Sequence, residues 1–380
     1  MKFIDEAIKE SEKRLEKNKV PKATSEIDED LIETITIAHP KIFAIGTGGA
    51  GNNTITRLNE KGVENLETIT INSDAQDLLY SQADKKILIG RETCKGLGAG
   101  GKPEIGELCA EESIELIKDE LSDANMVFIT CGLGGGTGSG SAPVIAKTAK
   151  KLGALTIVVV STPFISEGPQ RVKNAVESLK KLKESADSVI VVPNEKLLEV
   201  APNLPIITAY MVSDEILGKS VKGITDLIMK HGATNLDFSD VKSTMSDSGM
   251  SMIGMGESES GDRALESVYE ALNSPLLDLD ISEAQKAIVD IVGSNELTTE
   301  EVNKITSTIS DYLAPGADII MGIRVDNELQ HTIRTTVIIS GVKSQDLLSP
   351  AREVPEKQEE SIQEPWENFD AVDDFLDDKF

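Results

Sequence analysis

The stretch CGLGGGTGSGSAP, residues 131–143, places six glycines in thirteen residues. Ahead of it stands ANMVFIT (124–130), an apolar run of strand length, and behind it VIAKTAKKLG (144–153), which has the pattern of a helix. A buried strand that turns into a helix through so many glycines leaves its backbone open to close approach. Glycine lacks a Cβ and tolerates positive φ. The free amides of a helix N-terminus carry partial positive charge and attract anions. The spacing therefore points to an anionic ligand held against the main chain.

Outward from this loop, similar apolar runs recur: KIFAIG (41–46), LETITIN (66–72), KKILIG (85–90), LTIVVVST (155–162) and SVIVVPN (188–194). They are rich in Ile and Val and mostly do not alternate, as expected for strands of a parallel sheet buried on both faces. Helical patterns separate them, which predicts an α/β, doubly wound domain over residues 38–230. That domain ends in a long helical pattern beginning at Pro205 and stopping at Gly232. Residues 231–343 then carry strand patterns at 250–258, 287–293, 317–326 and 331–341, with helical patterns at 261–273 and 298–313. Strands now follow one another with fewer helices between them, so a smaller α+β domain is expected there.

The two ends differ in character. Residues 1–37 are charged and free of glycine, with Phe3, Ile4, Ala7, Ile8 and Leu15 at helical spacing. This predicts a partly helical extension docked on its own domain, with a partner or membrane-surface helix as the other reading, the latter disfavoured by a polar face of mixed charge. Residues 344–380 read as a disordered acidic tail, with 11 acidic and 3 basic side chains from 351 onward. Trp366, Phe369 and Phe375 interrupt that acidity and suggest a partner-docking peptide.

A net charge of −27 would repel a polyanion from most of the surface, so nucleic acid is not expected as a partner. No run approaches the about 18 apolar residues that span a bilayer, and direct membrane insertion is not expected. The acidic N-terminus lacks the apolar core of a signal peptide. Cys94, Cys109 and Cys131 form no Cys-x-x-Cys pair, which predicts reduced thiols and no metal site of protein ligands. His39, His231 and His331 lie far apart and receive no role.

Two further glycine loops accompany the first: GTGGAGNN (46–53) and GLGAGG (96–101). GTGGAG fits G-x-G-x-x-G, and Asp74 lies beyond the next strand, as in an NAD-dependent Rossmann oxidoreductase. GLGAGGKP fits the first part of a P-loop, but Pro103 stands where a Mg²⁺-binding Ser or Thr belongs. A dehydrogenase needs one glycine loop for its pyrophosphate and leaves the loop at 132–140 without a purpose.

GGGTGSG (134–140) resembles the signature loop of the tubulin and FtsZ superfamily of GTPases. NSDAQ (72–76), STPFISEGPQR (161–171), AYMVSDE (209–215) and NLDFSD (235–240) agree in order and spacing, from about residue 40 to 343. The FtsZ branch, and its archaeal members, fit best. The resemblance implies a GTP-binding domain joined by a long central helix to a C-terminal domain that begins with an acidic loop. It places Gly49, Ala50, Gly51, Asn52 and Asn53 on the α- and β-phosphates, and Gly136, Thr137 and Gly138 around the phosphates. It places Ala99, Gly100 and Gly101 at the γ-phosphate, and Glu167, Arg171 and Asn194 on the ribose and base side. Tyr210 would stack on the base. Asp214 would read guanine, because a carboxylate only accepts hydrogen bonds and guanine offers two adjacent donors.

Asp237 and Asp240 are the implied catalytic acids, reaching the nucleotide of the next subunit. By position alone, Asp240 would serve as the N-cap of the following helix. The resemblance further implies GTP and GDP as substrate and product, with Mg²⁺ held mainly by phosphates and water. It implies head-to-tail filaments and a cytoplasmic role in the division ring at mid-cell. The acidic tail departs from the short apolar and basic peptide usual in bacterial members, which leaves an anchor of the SepF type as the expected membrane partner. A filament-forming protein that binds nucleotide and hydrolyses little remains the other reading.

Overall fold

The computed structural model describes residues 40–342, apart from 64, 231–233, 235 and 274–279. The readings made for the N-terminal extension, the acidic tail, His39, His231 and Asn235 lie outside the described residues.

The first half alternates strand and helix: β1 (Ile42–Thr47), α1 (Gly48–Glu60), β2 (Glu67–Asn72), α2 (Ala75–Tyr80), β3 (Lys85–Leu88), α3 (Pro103–Glu112), α4 (Ile114–Glu120), β4 (Met126–Gly132), α5 (Thr137–Lys151), β5 (Leu155–Thr162), α6 (Pro169–Ser185), β6 (Ser188–Pro193) and α7 (Asn194–Val200). The central helix α8 (Ile206–Met229) and the short α9 (Phe238–Met245) lead to β7 (Gly249–Ser258), α10 (Arg263–Leu272), β8 (Lys286–Gly293), α11 (Thr299–Tyr312), β9 (Asp318–Val325) and β10 (Ile333–Ser340). Every strand predicted from the sequence is present. KKILIG is cut short at Leu88, because the chain turns at Gly90, whose φ of 67° is left-handed.

The strands form one sheet in the order β3-β2-β1-β4-β5-β6-β7-β10-β8-β9. Pairing is parallel from β3 through β7, antiparallel at β7/β10 and β10/β8, and parallel again at β8/β9. The two sequence-predicted units are thus continuous through the sheet, joined where β6 pairs with the start of β7 over Ser188–Gly249, Val189–Met250 and Ile190–Ser251. Strand order reverses between β1 and β4, and in open α/β sheets such a switch point opens a crevice at the strands' carboxyl ends.

Helix α8 is held in a core drawn from both halves. Leu217, Val221, Ile224 and Leu227 pack with Ile42, Phe128 and Val159 from the first half and with Ile288 and Ile338 from the second. Burying each such side chain contributes roughly 1.5–3 kcal/mol relative to exposure. The helix is therefore a rigid connector whose N-terminal half can carry site residues.

Candidate functional site

A cleft of about 300 Å³ lies at the carboxyl ends of β1, β4, β5 and β6. Two glycine loops form its floor. A Cβ on Gly48 would sit 2.8 Å from the amide nitrogen of Gly138, so the loops touch through backbone. Gly48 has φ 70° and Gly134 φ 98°, conformations that favour glycine. Helices α1 and α5 both point their N-termini here. Neither Thr47 nor Gly136, their N-caps, makes a side-chain cap, and neither first turn holds an acidic residue. Orphan N–H groups from two helices thus converge with no acid in either first turn, an arrangement suited to an anion.

Around this floor the structure gathers Gly49, Ala50, Gly136, Thr137, Gly138, Glu167, Arg171, Asn194, Tyr210 and Asp214. Thr137 is oriented by the Ser73 hydroxyl at 2.7 Å. Glu167 accepts from the Phe164 amide at 2.9 Å and pairs with Arg171. Asn194 is buried and accepts from the Ser213 hydroxyl at 2.6 Å. The Tyr210 ring stands edge-on to the buried Phe164 ring, 5.4 Å between centroids, which steers its position at the cleft wall. Burial pushes the Tyr210 phenol up, and the Glu167 carboxylate adds to this.

Asp214 is buried on α8, and burial pushes its carboxyl up to about 6. Arg57 and the Thr54 hydroxyl oppose that rise. The guanidinium of Arg57 lies 3.7 Å away. A buried carboxylate facing an open cleft is suited to accept two hydrogen bonds from a planar ligand edge.

Other predicted residues are placed differently. A Cβ on Gly51 would lie 2.3 Å from the Thr130 carbonyl oxygen, so this glycine lets α1 press on β4. Asn52 is buried beneath the loop. Its amide, oriented to satisfy its partners, donates to the carbonyls of Gly46, Gly48 and Ile71 and accepts from Asn72. Asn53 is exposed on the outer face of α1. Ala99, Gly100 and Gly101 do not line the cleft but abut it, since a Cβ on Gly136 would meet Ala99 Cβ at 2.9 Å and the Gly101 nitrogen at 3.1 Å.

Asp237 and Asp240 do not line the cleft either. The expectation that Asp240 caps a helix is corrected: α9 begins at Phe238, so Asp237 is the N-cap and Asp240 the third helical residue. The Asp240 carboxylate accepts from the Asp237 amide at 3.1 Å. The capping role moved because the chain is already helical at Ser239.

Sequence reasoning missed Asn174. Buried on α6, its amide donates to the carbonyls of Gly101 and Gly134 at 3.2 Å each, tying two glycine loops together. It also missed Arg57, which stands beside Asp214, and the cleft-lining residues Ser161 to Pro163. The last three lie inside the quoted STPFISEGPQR run, but an asparagine and an arginine at ordinary helix positions gave no signal.

Asp74, the acid of the dinucleotide reading, caps α2 by accepting from the Gln76 and Asp77 amides at 2.9 and 3.1 Å, and does not line the cleft. Nothing supports the oxidoreductase alternative. Among the described residues no group of three or more His, Cys, Asp or Glu side chains could hold a metal ion, and no helix is long and apolar enough to cross a membrane.

Comparison with known proteins agrees with this geometry. Residues 41–202 match the model of the Tubulin/FtsZ family GTPase domain, and residues 249–343 that of the FtsZ family C-terminal domain. The chain is 58% identical over 380 residues to the cell division protein FtsZ of Methanothermobacter thermautotrophicus, covering 100% of this chain and 99% of that one. The chain belongs to the FtsZ family. A solved FtsZ dimer from M. jannaschii, described as empty, superposes with a TM-score of 0.78 at 52% identity, covering 83% of this chain and 92% of that one. CetZ2 from Haloferax volcanii, solved as a GTPγS-bound protofilament, gives 0.70 at 23% identity over 81% and 96%, a likeness of fold. The cleft therefore belongs to an FtsZ-family GTPase domain, and the chain has the two-domain architecture of that family.

Proposed function

We propose that this cleft binds GTP in one subunit and that Asp237 and Asp240 of the next subunit complete it, in a head-to-tail filament that forms the division ring. One observation carries the reading. The cleft holds converging helix N-termini and two lining carboxylates, Glu167 paired with Arg171 and Asp214 buried with Arg57 at 3.7 Å. The lining of the cleft carries no further carboxylate to position an attacking water. Asp237 is exposed and Asp240 half-buried at the start of α9, outside their own chain's cleft.

In this reading the amides of residues 48–50 and 136–138 hold the phosphates and Asn174 sets the spacing of the loops. Residues 99–101 sense the γ-phosphate from behind Gly136. Glu167, Arg171 and Asn194 hold the ribose and base side, Tyr210 offers its ring face, and Asp214 takes the two guanine donors. Phosphoryl transfer depends chiefly on positioning and charge stabilisation, so two acids that orient water suffice. Mg²⁺ would accompany the phosphates, held mainly by them and by water. A heterologous contact that does not close generates a filament. Residues 38–230 form the GTP-binding domain and 231–343 the domain that delivers the acids. The protein acts in the cytoplasm at mid-cell, and the acidic stretch 344–380, with Trp366, Phe369 and Phe375, engages a membrane-anchor protein of the SepF type.

The test is GTP hydrolysis per subunit across protein concentration, with sedimentation in parallel. A rate that switches on at the concentration where polymer pellets is expected, and Asp237→Ala should bind GTP and assemble while turning over little. A flat rate per subunit would overturn completion of the site by a neighbour.

A further inference from the structure

We infer that strand β9 is the positioning element of the acid loop, with Gly322, Ile323 and Arg324 setting where Asp237 and Asp240 point. This rests on the reading that those acids complete a neighbour's site. Three consecutive residues of β9 address three separate points of the chain from the last turn of α8 to Leu236, just ahead of α9.

Arg324 grips the end of α8. Its guanidinium forks onto Asp290 on β8, with Nε to Oδ1 at 2.9 Å, and its Nη1 donates to the Asp226 carbonyl at 3.5 Å in the last turn of the helix. Asp290 is 2% exposed, so the pair is shielded and its geometry is exacting. Ile323 takes the next point: it and Thr234 exchange both backbone hydrogen bonds, each at 3.2 Å, in an isolated antiparallel bridge. Gly322 takes the third. A Cβ there would lie 2.8 Å from Leu236 Cδ1, so the glycine makes the seat in which Leu236 is buried, one residue before Asp237.

Downstream, the Asp237 amide is tied to the Asp240 carboxylate, so fixing Thr234 and Leu236 also sets the start of α9. The other end of α9 is held from β8, where Lys286 donates to the Ser243 carbonyl at 2.7 Å. None of Gly322, Ile323 and Arg324 lines the nucleotide cleft. Their influence on turnover therefore passes through the acids, not through nucleotide binding. A guanidinium is the group that can fork onto a carboxylate and still reach a carbonyl; an ammonium at the same place cannot.

The test uses the full chain carrying Arg324→Lys, Gly322→Ala, or Gly322→Ala with Leu236→Val, beside Asp237→Ala. GTP affinity, the assembly threshold and turnover per polymerised subunit are measured for each. The first two variants should lose about tenfold to a hundredfold in turnover, as expected for acids displaced by an ångström or less. Affinity and threshold should stay at wild-type values, and the added Leu236→Val should restore most of the turnover lost by Gly322→Ala. Arg324→Lys can also unfold the domain by loosening a buried pair; Gly322→Ala buries no charge and then decides. Full turnover in folded Gly322→Ala while Asp237→Ala is inactive would overturn the positioning role alone. Full turnover in Asp237→Ala would instead remove the reading beneath it, and the positioning role with it.

Discussion

Arg57 holds its Nε 3.7 Å from the Asp214 carboxylate, across the interface between α1 and the central helix. The pair joins the helix that follows the first glycine loop to the helix that bears the proposed base-reading acid. Burial outweighs the arginine, and the carboxyl is pushed up to about 6.

That value sets a pH dependence. Guanine needs the ionised carboxylate, so GTP affinity should fall as pH drops through about 6, by about tenfold per pH unit well below it. Arg57→Ala should move the midpoint upward, because the group that favours the charged form is gone. Calorimetric titration of GTP across mildly acidic and neutral buffers checks both. An affinity flat through this window would contradict the assignment of Asp214.

The same shift has a stability sign. The folded-state value exceeds the unfolded one of about 4, so the stability contributed by protonated Asp214 is present at low pH and lost as pH rises through about 6. Asp214→Asn should therefore stabilise the nucleotide-free protein at neutral pH by an amount on the order of 2 kcal/mol, seen as a raised melting temperature. It should also weaken GTP binding and favour a xanthine nucleotide, whose 2-oxo group accepts from the new amide. Loss of GTP binding with no gain for the xanthine nucleotide would argue against direct base contact.

Two glycines separate folding from binding. Gly51→Ala forces a Cβ to 2.3 Å from the Thr130 carbonyl and should destabilise the fold by roughly 1–3 kcal/mol. Gly135 lines the cleft, and a Cβ there meets nothing within 4 Å. Gly135→Ala should keep its melting temperature and lose nucleotide affinity. Thermal melts with and without GTP distinguish the two, and a large loss of stability in Gly135→Ala would refute the distinction.

Asn174→Ala removes both hydrogen bonds that tie Gly101 to Gly134, leaving two carbonyls without that partner. A cost of about 1–3 kcal/mol is expected, shared between stability and GTP binding. Because residues 99–101 sit behind Gly136, the variant should also discriminate less between GTP and GDP. Competition binding of the two nucleotides measures this, and unchanged discrimination would mean the loops do not communicate through Asn174.

Much of the fold was legible in the chain because its signals are local. Ile- and Val-rich runs announced the strands, and the glycines at 46–51 and 132–140 announced a backbone site at strand ends. An acid at position 214 was legible only through the family resemblance, since a lone aspartate on a helix otherwise reads as solvated. Tertiary structure alone placed Arg57 beside Asp214, Asn174 between two loops, and Thr234 and Leu236 against β9. It also joined β6 to β7, making one sheet of what the sequence presents as two units. Backbone periodicity and glycine's freedom in φ act within a few residues, so sequence determines them. Which distant side chains meet depends on how sheet and helices pack, and no local pattern encodes that.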